Sequence, residues 1–190
     1  MSLKKLGTDY IDLYLIHWPS SKYVESWLIL EELYKEGEIR AIGVSNFEQT
    51  HLSDVLKHGS IVPAVNQIHT NPFLQQPDLH NYMVNKNIQH VAWSPFGHGN
   101  KNLFDNPILT SIAERHGKTT AQVMLRWNIE RNVGVIPKSV NPARLKANLE
   151  IFDFSLSDEE MKQISTLDKN KKGFVNPDNK VFLWATTLLR

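Results

Sequence analysis

The chain has no cysteine among its 190 residues, which rules out a disulfide scaffold and any thiolate-ligated metal site. That absence fits a cytoplasmic protein, the expected location. No apolar run reaches the ~20 residues of a membrane span. The opening stretch MSLKKLGTDY has two lysines but neither an apolar core nor a small-residue cleavage site behind them, so it is not expected to act as a secretory signal. A net charge of +1 gives no signature of nucleic-acid or membrane binding, and neither partner is expected. The GxGxxG and P-loop fingerprints of nucleotide sites are missing as well, and no residue is read as a metal ligand. What remains is an ordinary globular composition, 41% apolar and 22% charged, long enough to bury one substantial core.

Residues 9–19, DYIDLYLIHWP, form the most informative apolar run. A continuous run between breakers predicts a strand covered on both faces, with Ile11, Leu13, Leu15 and His17 on one face and Asp12, Tyr14 and Ile16 on the other. His17 then stands at the carboxyl end of a strand, where α/β proteins place ligands. Just before it, Leu3, Lys4, Lys5 and Leu6 followed by Gly7 read as the end of a helix with almost nothing ahead of it. The chain is therefore expected to begin inside a larger structure. Further strands are expected at 40–45, 63–69, 88–94 and 132–139. Helices are expected at 23–36, 53–59, 76–87, 106–116 and 119–131, the last opened by a Thr119/Gln122 capping box. A short helix follows Asn141-Pro142, and a final one follows Ser157 with Glu160. Five strands alternating with helices predict an α/β domain with a parallel sheet over residues 1–168, followed by a tail at 169–190.

Each strand stops on polar groups: His17; Ser45 and Asn46; Gln67 and His69; Ser94; Lys138 and Ser139. A lone polar residue at a strand end is ordinarily a turn or packing residue. Five such ends on one rim of a parallel sheet are harder to dismiss, because a barrel builds its active site there. The fifth, IPKSVNPAR, offers a cationic Lys138, the Ser139 hydroxyl, the exposed amides of a helix start after Asn141, and Arg144 one turn in. Two cations at a helix N-terminus suit a phosphate; the alternative is a basic turn on a solvated surface.

The stretches LGTDYIDLYLIHWP, GEIRAIGVSNF, AVNQIHTNP, AWSPFG and IPKSVNPARLKAN resemble the aldo-keto reductases, in that family's order and approximate spacing, over residues 2–168. The resemblance implies a (β/α)8 barrel of TIM type, here incomplete, with the five strands corresponding to strands four to eight. It implies NADPH-dependent reduction of a small aldehyde or ketone by hydride transfer. By position, His17 resembles the active-site histidine that orients the substrate carbonyl, and Trp18 a residue lining the substrate pocket. Ser45, Asn46 and Gln67 look like the groups that hold the nicotinamide carboxamide, and Trp93 like the aromatic that stacks on the ring. Ser94 and Phe96 resemble pyrophosphate-side contacts. Lys138, Ser139, Val140, Asn141 and Arg144 resemble the clamp on the adenosine 2′-phosphate, and Asn148 an adenine contact. Ala147 stands where many members have a glutamate.

That chemistry also uses a tyrosine acid, a lysine that lowers its pKa and an aspartate paired to the lysine, all from the first three βα units. No stretch of this chain resembles those units; Tyr10, Tyr14, Tyr23, Tyr34 and Tyr82 lie in other contexts. The expectation is an NADP-dependent oxidoreductase by family, lacking its N-terminal third and inactive or impaired as it stands. The alternative is a non-catalytic nicotinamide-nucleotide-binding or regulatory module of the same fold. Strand edges at 9–17 and 133–138 left open by such a truncation invite self-association.

Overall fold

A computed structural model describes residues 2–170, so nearly all of the tail expected at 169–190 lies outside the described residues. The described residues fall into two compact units, one made of 2–68 with 78–90 and the other of 69–77 with 91–170.

The first unit opens with α1 (Ser2–Leu6), closed by Gly7 at φ 66°. Then follow β1 (Tyr14–Ile16), α2 (Tyr23–Lys35), β2 (Ile42–Ser45) and α3 (Gln49–His58). β3 (Val65–His69), α4 (Pro77–Asn85) and β4 (Gln89–Trp93) come next and run across the division. β1, β2 and β3 pair in parallel, with Leu15 opposite Gly43, Val44 opposite Asn66 and Ser45 opposite Gln67. Strand alternation sends Ile42 and Val44 into a core with Trp27 and Leu30 of α2, Leu52 and Val55 of α3, and Met83 of α4. Gly43 and Ser45 therefore line the opposite face. α2, α3 and α4 each bury residues three or four apart, as an amphipathic helix on a sheet should.

β1 departs from expectation. Only Tyr14–Ile16 are strand, with an isolated bridge from Ile11 to Ile39, and Leu13 and Tyr14 are 43% and 40% exposed. The run is thus not covered on both faces. Among the described residues β1 pairs with β2 alone, and a groove of about 580 Å³ lies along it, lined by Ile11, Ile16, Ile29, Leu33 and Ile39 among others.

The second unit holds the end of β4, a short turn at 97–99, α5 (Lys101–Phe104), α6 (Pro107–His116) and α7 (Thr120–Glu130). β5 (Gly134–Val135), α8 (Pro142–Leu149) and α9 (Asp158–Ser165) complete it. β5 pairs in parallel with β4, Val91 opposite Gly134 and Ala92 opposite Val135. It is two residues long rather than the eight expected from 132–139, because Pro137 has no N–H to give a ladder. Lys138 and Ser139 consequently stand on a loop. Leu109 and Ile112 of α6, Val123, Met124 and Trp127 of α7 and Ile164 of α9 form this unit's core. The side chains of Thr119, Asn141 and Ser157 cap the helices that follow them, as their sequence positions predict, and Asn106 caps α6 in the same way.

Glu160 ties α9 to α6. Its carboxylate accepts the Ser157 N–H at 2.9 Å in the capping box, the Arg115 guanidinium at 2.9 Å and His116 Nε2 at 3.1 Å. Burial acts to raise its pKa, but the Ser157 N–H, His116 and Arg115 outweigh it and push the value down to about 2. A carboxyl depressed on folding adds stability above its unfolded pKa of about 4.3 and loses it as pH falls toward the folded value. Wild type is therefore expected to exceed Glu160→Gln by about 2 kcal/mol at pH 7, a figure lowered for the half-exposed Arg115. The gap should close as pH falls from 5 to 2, and urea titrations of both proteins across that range read it directly.

Candidate functional site

Ser45, Asn46 and Gln67 meet at the carboxyl ends of β2 and β3. The Ser45 hydroxyl donates to the Gln67 carbonyl at 2.8 Å, and the Asn46 N–H donates to the same oxygen at 3.0 Å. Asn46 Nδ2 donates to Ser45 Oγ and to the His17 carbonyl, both at 3.0 Å, so it links the end of β2 to the segment after β1. Ser45 and Asn46 are 2% and 5% exposed, unusual burial for strand-end polar groups. Below them Asn66, fully buried, donates to the Phe47 carbonyl at 2.8 Å and accepts its N–H at 3.3 Å, fixing the turn. The Gln67 side-chain amide makes no hydrogen bond among the described residues and remains half-exposed. His17 is exposed beyond β1, its ring 5.8 Å from that of the half-buried Trp18.

Asn46 has φ 62°, and in the second unit Ser94, directly after β4, has φ 51°. Left-handed backbone is strained for a non-glycine residue, and such strain gathers at functional sites. Ser94 Oγ accepts the His98 N–H at 2.9 Å, and its carbonyl accepts the Gly97 N–H at 2.9 Å, which curls the chain into a tight loop. Trp93 is half-buried at the end of β4. The Phe96 ring packs on Phe104, centroids 6.0 Å apart, against the second core, so Phe96 offers a ligand its backbone rather than its side chain.

Two cations bracket the start of α8, Lys138 on the loop before it and Arg144 in its first turn. Lys138 and Arg144 are exposed, and neither side chain is hydrogen-bonded or ion-paired among the described residues. Asn141 Oδ1 accepts the Ala143 and Arg144 N–H groups at 2.9 and 3.2 Å, and Ser139 Oγ accepts the Asn141 N–H at 3.1 Å. This corrects the expectation of exposed helix-start amides: the asparagine cap has taken them. An anion placed here would meet the two cations, the Ser139 hydroxyl, the Val140 N–H, which makes no hydrogen bond among the described residues, and the positive end of α8. Val140 is 84% exposed, and the first turn of α8 has no acidic residue to repel an anion. Asn148 sits half-buried two turns along. These residues fit a nucleotide phosphate. Sequence reasoning assigned no role to Asn66, though an amide inside the apolar strand VNQIH was its visible signal.

The family model described as Aldo/keto reductase family matches residues 1–169. The chain belongs to the aldo/keto reductase family. This aldo/keto reductase chain is 50% identical over 182 residues to the glyoxal reductase of Bacillus subtilis (strain 168), covering 95% of this chain and 65% of that protein. An aldo-keto reductase from a Medee basin deep-sea metagenome library, MGS-M4, superimposes with a TM-score of 0.90 at 45% identity, over 94% of this chain and 67% of that one. A Bombyx mori aldo-keto reductase solved in complex with NADP matches with a TM-score of 0.84 at 37% identity, over 90% of this chain and 62% of that one. The chain spans about two thirds of the length of the relatives it matches. Its five parallel βα units correspond to strands four to eight of the aldo/keto reductase (β/α)8 barrel.

Proposed function

We propose that this chain carries the NADPH-binding and carbonyl-orienting residues of a reductase acting on small aldehydes or ketones. The observation that carries the reading is the pair of unpaired cations, Lys138 and Arg144, flanking Ser139 at the start of α8. A cluster that can accept a dianion and has no carboxylate partner among the described residues suits the 2′-phosphate that separates NADPH from NADH. Membership of the aldo/keto reductases and a relative solved with NADP support it. A 50% identical relative named glyoxal reductase supports a small carbonyl substrate.

In this reading Lys138, Ser139, Val140, Asn141 and Arg144 clamp the 2′-phosphate, Asn148 contacts adenine, and Ser94 with the Phe96 backbone meets the pyrophosphate. Gln67, whose amide is unsatisfied, joins Ser45 and Asn46 in holding the carboxamide, and Trp93 supplies a stacking face. When bound, the reduced nicotinamide supplies the hydride. His17 donates from its imidazole to the substrate carbonyl oxygen and orients it, with Trp18 closing one side of the pocket. No residue among the 190 resembles the family's proton-donating tyrosine or its lysine and aspartate partners. Loss of general acid catalysis costs about 10²–10⁴ in rate, so the chain by itself binds cofactor and turns over slowly.

Titrating NADPH while following tryptophan fluorescence, then adding glyoxal and following NADPH absorbance, tests both halves. Saturable quenching is expected, with glyoxal turnover at least about 100-fold below that of the full-length Bacillus subtilis relative. Absence of quenching overturns the cofactor assignment; turnover equal to the relative overturns the claim that the acid is missing.

A further inference from the structure

His69, the last residue of β3, does more than end a strand. Its imidazole lies flat against the Trp93 indole, with ring centroids 4.2 Å apart and planes 14° from parallel. The Gln76 side-chain amide donates to the His69 carbonyl at 2.7 Å and holds the backbone there. Asn71 Oδ1 accepts the Phe73 N–H at 2.9 Å, which identifies the oxygen end of that amide. The nitrogen end, Nδ2, therefore faces His69 Nε2 at 3.2 Å, and an amide NH₂ can only donate. Nε2 is then the lone-pair nitrogen, and the ring proton sits on Nδ1.

That Nδ1 is fully buried and has no hydrogen-bond partner among the described residues. A buried N–H left unsatisfied is costly, so the ring is not placed to suit its own donor. It is placed by the bond at Nε2 and by the stack on Trp93. Burial, and secondarily the nearby His98, push its pKa down to about 4, which keeps the ring neutral. His98 approaches both rings nearer edge-on, 5.5 Å from His69 and 5.8 Å from Trp93. With His69 on one face of the indole, a flat ligand stacking on Trp93 takes the other.

We propose that His69 is a positioning residue for the nicotinamide: held by Asn71 and Gln76, it fixes the tilt of Trp93 and so orients the ring stacked on the opposite face. This rests on Trp93 being the stacking platform, as proposed above. His69 touches neither cofactor nor substrate in this arrangement, and its role is exerted through the indole.

Calorimetric titration of the 190-residue chain with two ligands tests it. NADPH carries the nicotinamide; 2′-phospho-ADP-ribose keeps the phosphates and adenine but lacks it. His69→Ala is expected to weaken NADPH about five- to tenfold, the worth of one well-formed ring stack, while 2′-phospho-ADP-ribose changes less than about twofold. His69→Phe, which keeps a flat ring, should restore NADPH to within about twofold of wild type. Equal weakening of both ligands by His69→Ala marks a merely structural residue and overturns the proposal. Trp93→Ala separates the two layers. If it leaves NADPH affinity unchanged, the platform reading fails and takes this proposal with it. If it weakens NADPH while His69→Ala does not, the role of His69 alone fails. Long-range ¹H–¹⁵N spectra of the wild-type chain give a readout independent of ligand and of variant folding. They should show the His69 proton on Nδ1 at pH 7, and a proton on Nε2 would contradict the lock.

Discussion

Replacing Glu31 with alanine is expected to destabilise the chain by about 4 kcal/mol, close to the whole stability of a marginal domain. Glu31 sits on the inner face of α2, 3% exposed, yet it is an acid. Its Oε1 accepts the Trp27 indole N–H at 2.9 Å, the Ser60 N–H at 2.7 Å and the Ile61 N–H at 2.8 Å, and Oε2 accepts the Ser60 hydroxyl at 2.7 Å. Burial works to raise its pKa, but the Ile61 N–H, the Ser60 hydroxyl and N–H and the Trp27 indole outweigh it, so the carboxyl stays ionised below its ordinary range. Alanine strands three N–H donors, and each orphaned donor costs about 1–3 kcal/mol. Lys35 contributes little: its Nζ is 3.9 Å away and mostly exposed. Glu31→Gln keeps one acceptor oxygen and should lose less than alanine. Urea unfolding followed by tryptophan fluorescence checks both variants, and a loss under about 1 kcal/mol for alanine would show that water replaces the carboxylate.

Gly43→Ala is the second large loss, about 3 kcal/mol or failure to fold. A Cβ at Gly43 would stand 2.8 Å from Leu15 Cδ2, 2.8 Å from Val65 Cγ2 and 2.8 Å from the Val65 carbonyl oxygen. The two side chains can turn away, but the oxygen belongs to β3 and moves only with the strand. Because Gly43 lies two residues before Ser45 on the same face of β2, any shift of β3 relative to β2 also breaks the Ser45–Gln67 contact. Loss of stability with Gly43→Ala should therefore come with weaker NADPH binding, whereas Glu31→Ala, on the helix side, should spare affinity in the fraction that stays folded.

Much of this was legible in the chain itself. Polar residues closing apolar runs placed His17, Ser45, Asn46, Gln67 and Ser94 at strand ends, because strand alternation and turn chemistry act locally. Thr119, Asn141 and Ser157 announced their helices for the same reason. The misses are non-local. Nothing in the sequence around Glu31 reveals that its partners come from Ser60 and Ile61, 29 and 30 residues on. The stack of His69 on Trp93 depends on two strands lying side by side, which neither strand encodes alone. β5 shrank to two residues because Pro137 interrupts a run whose composition reads as strand. The cap at Asn141 was visible, but its consequence was not: it takes the Ala143 and Arg144 N–H groups, so neither amide is open to a ligand.

The proposed recognition of a 2′-phosphate by the α8 loop is open to a direct test. The most direct measurement is the affinity of the wild-type chain and of Lys138→Ala/Arg144→Ala for NADPH and for NADH, by calorimetry at one fixed salt concentration. Two charge-assisted contacts predict that the double variant weakens NADPH about 100-fold or more and NADH less than about threefold. Equal weakening of both dinucleotides, or none of either, would contradict the account.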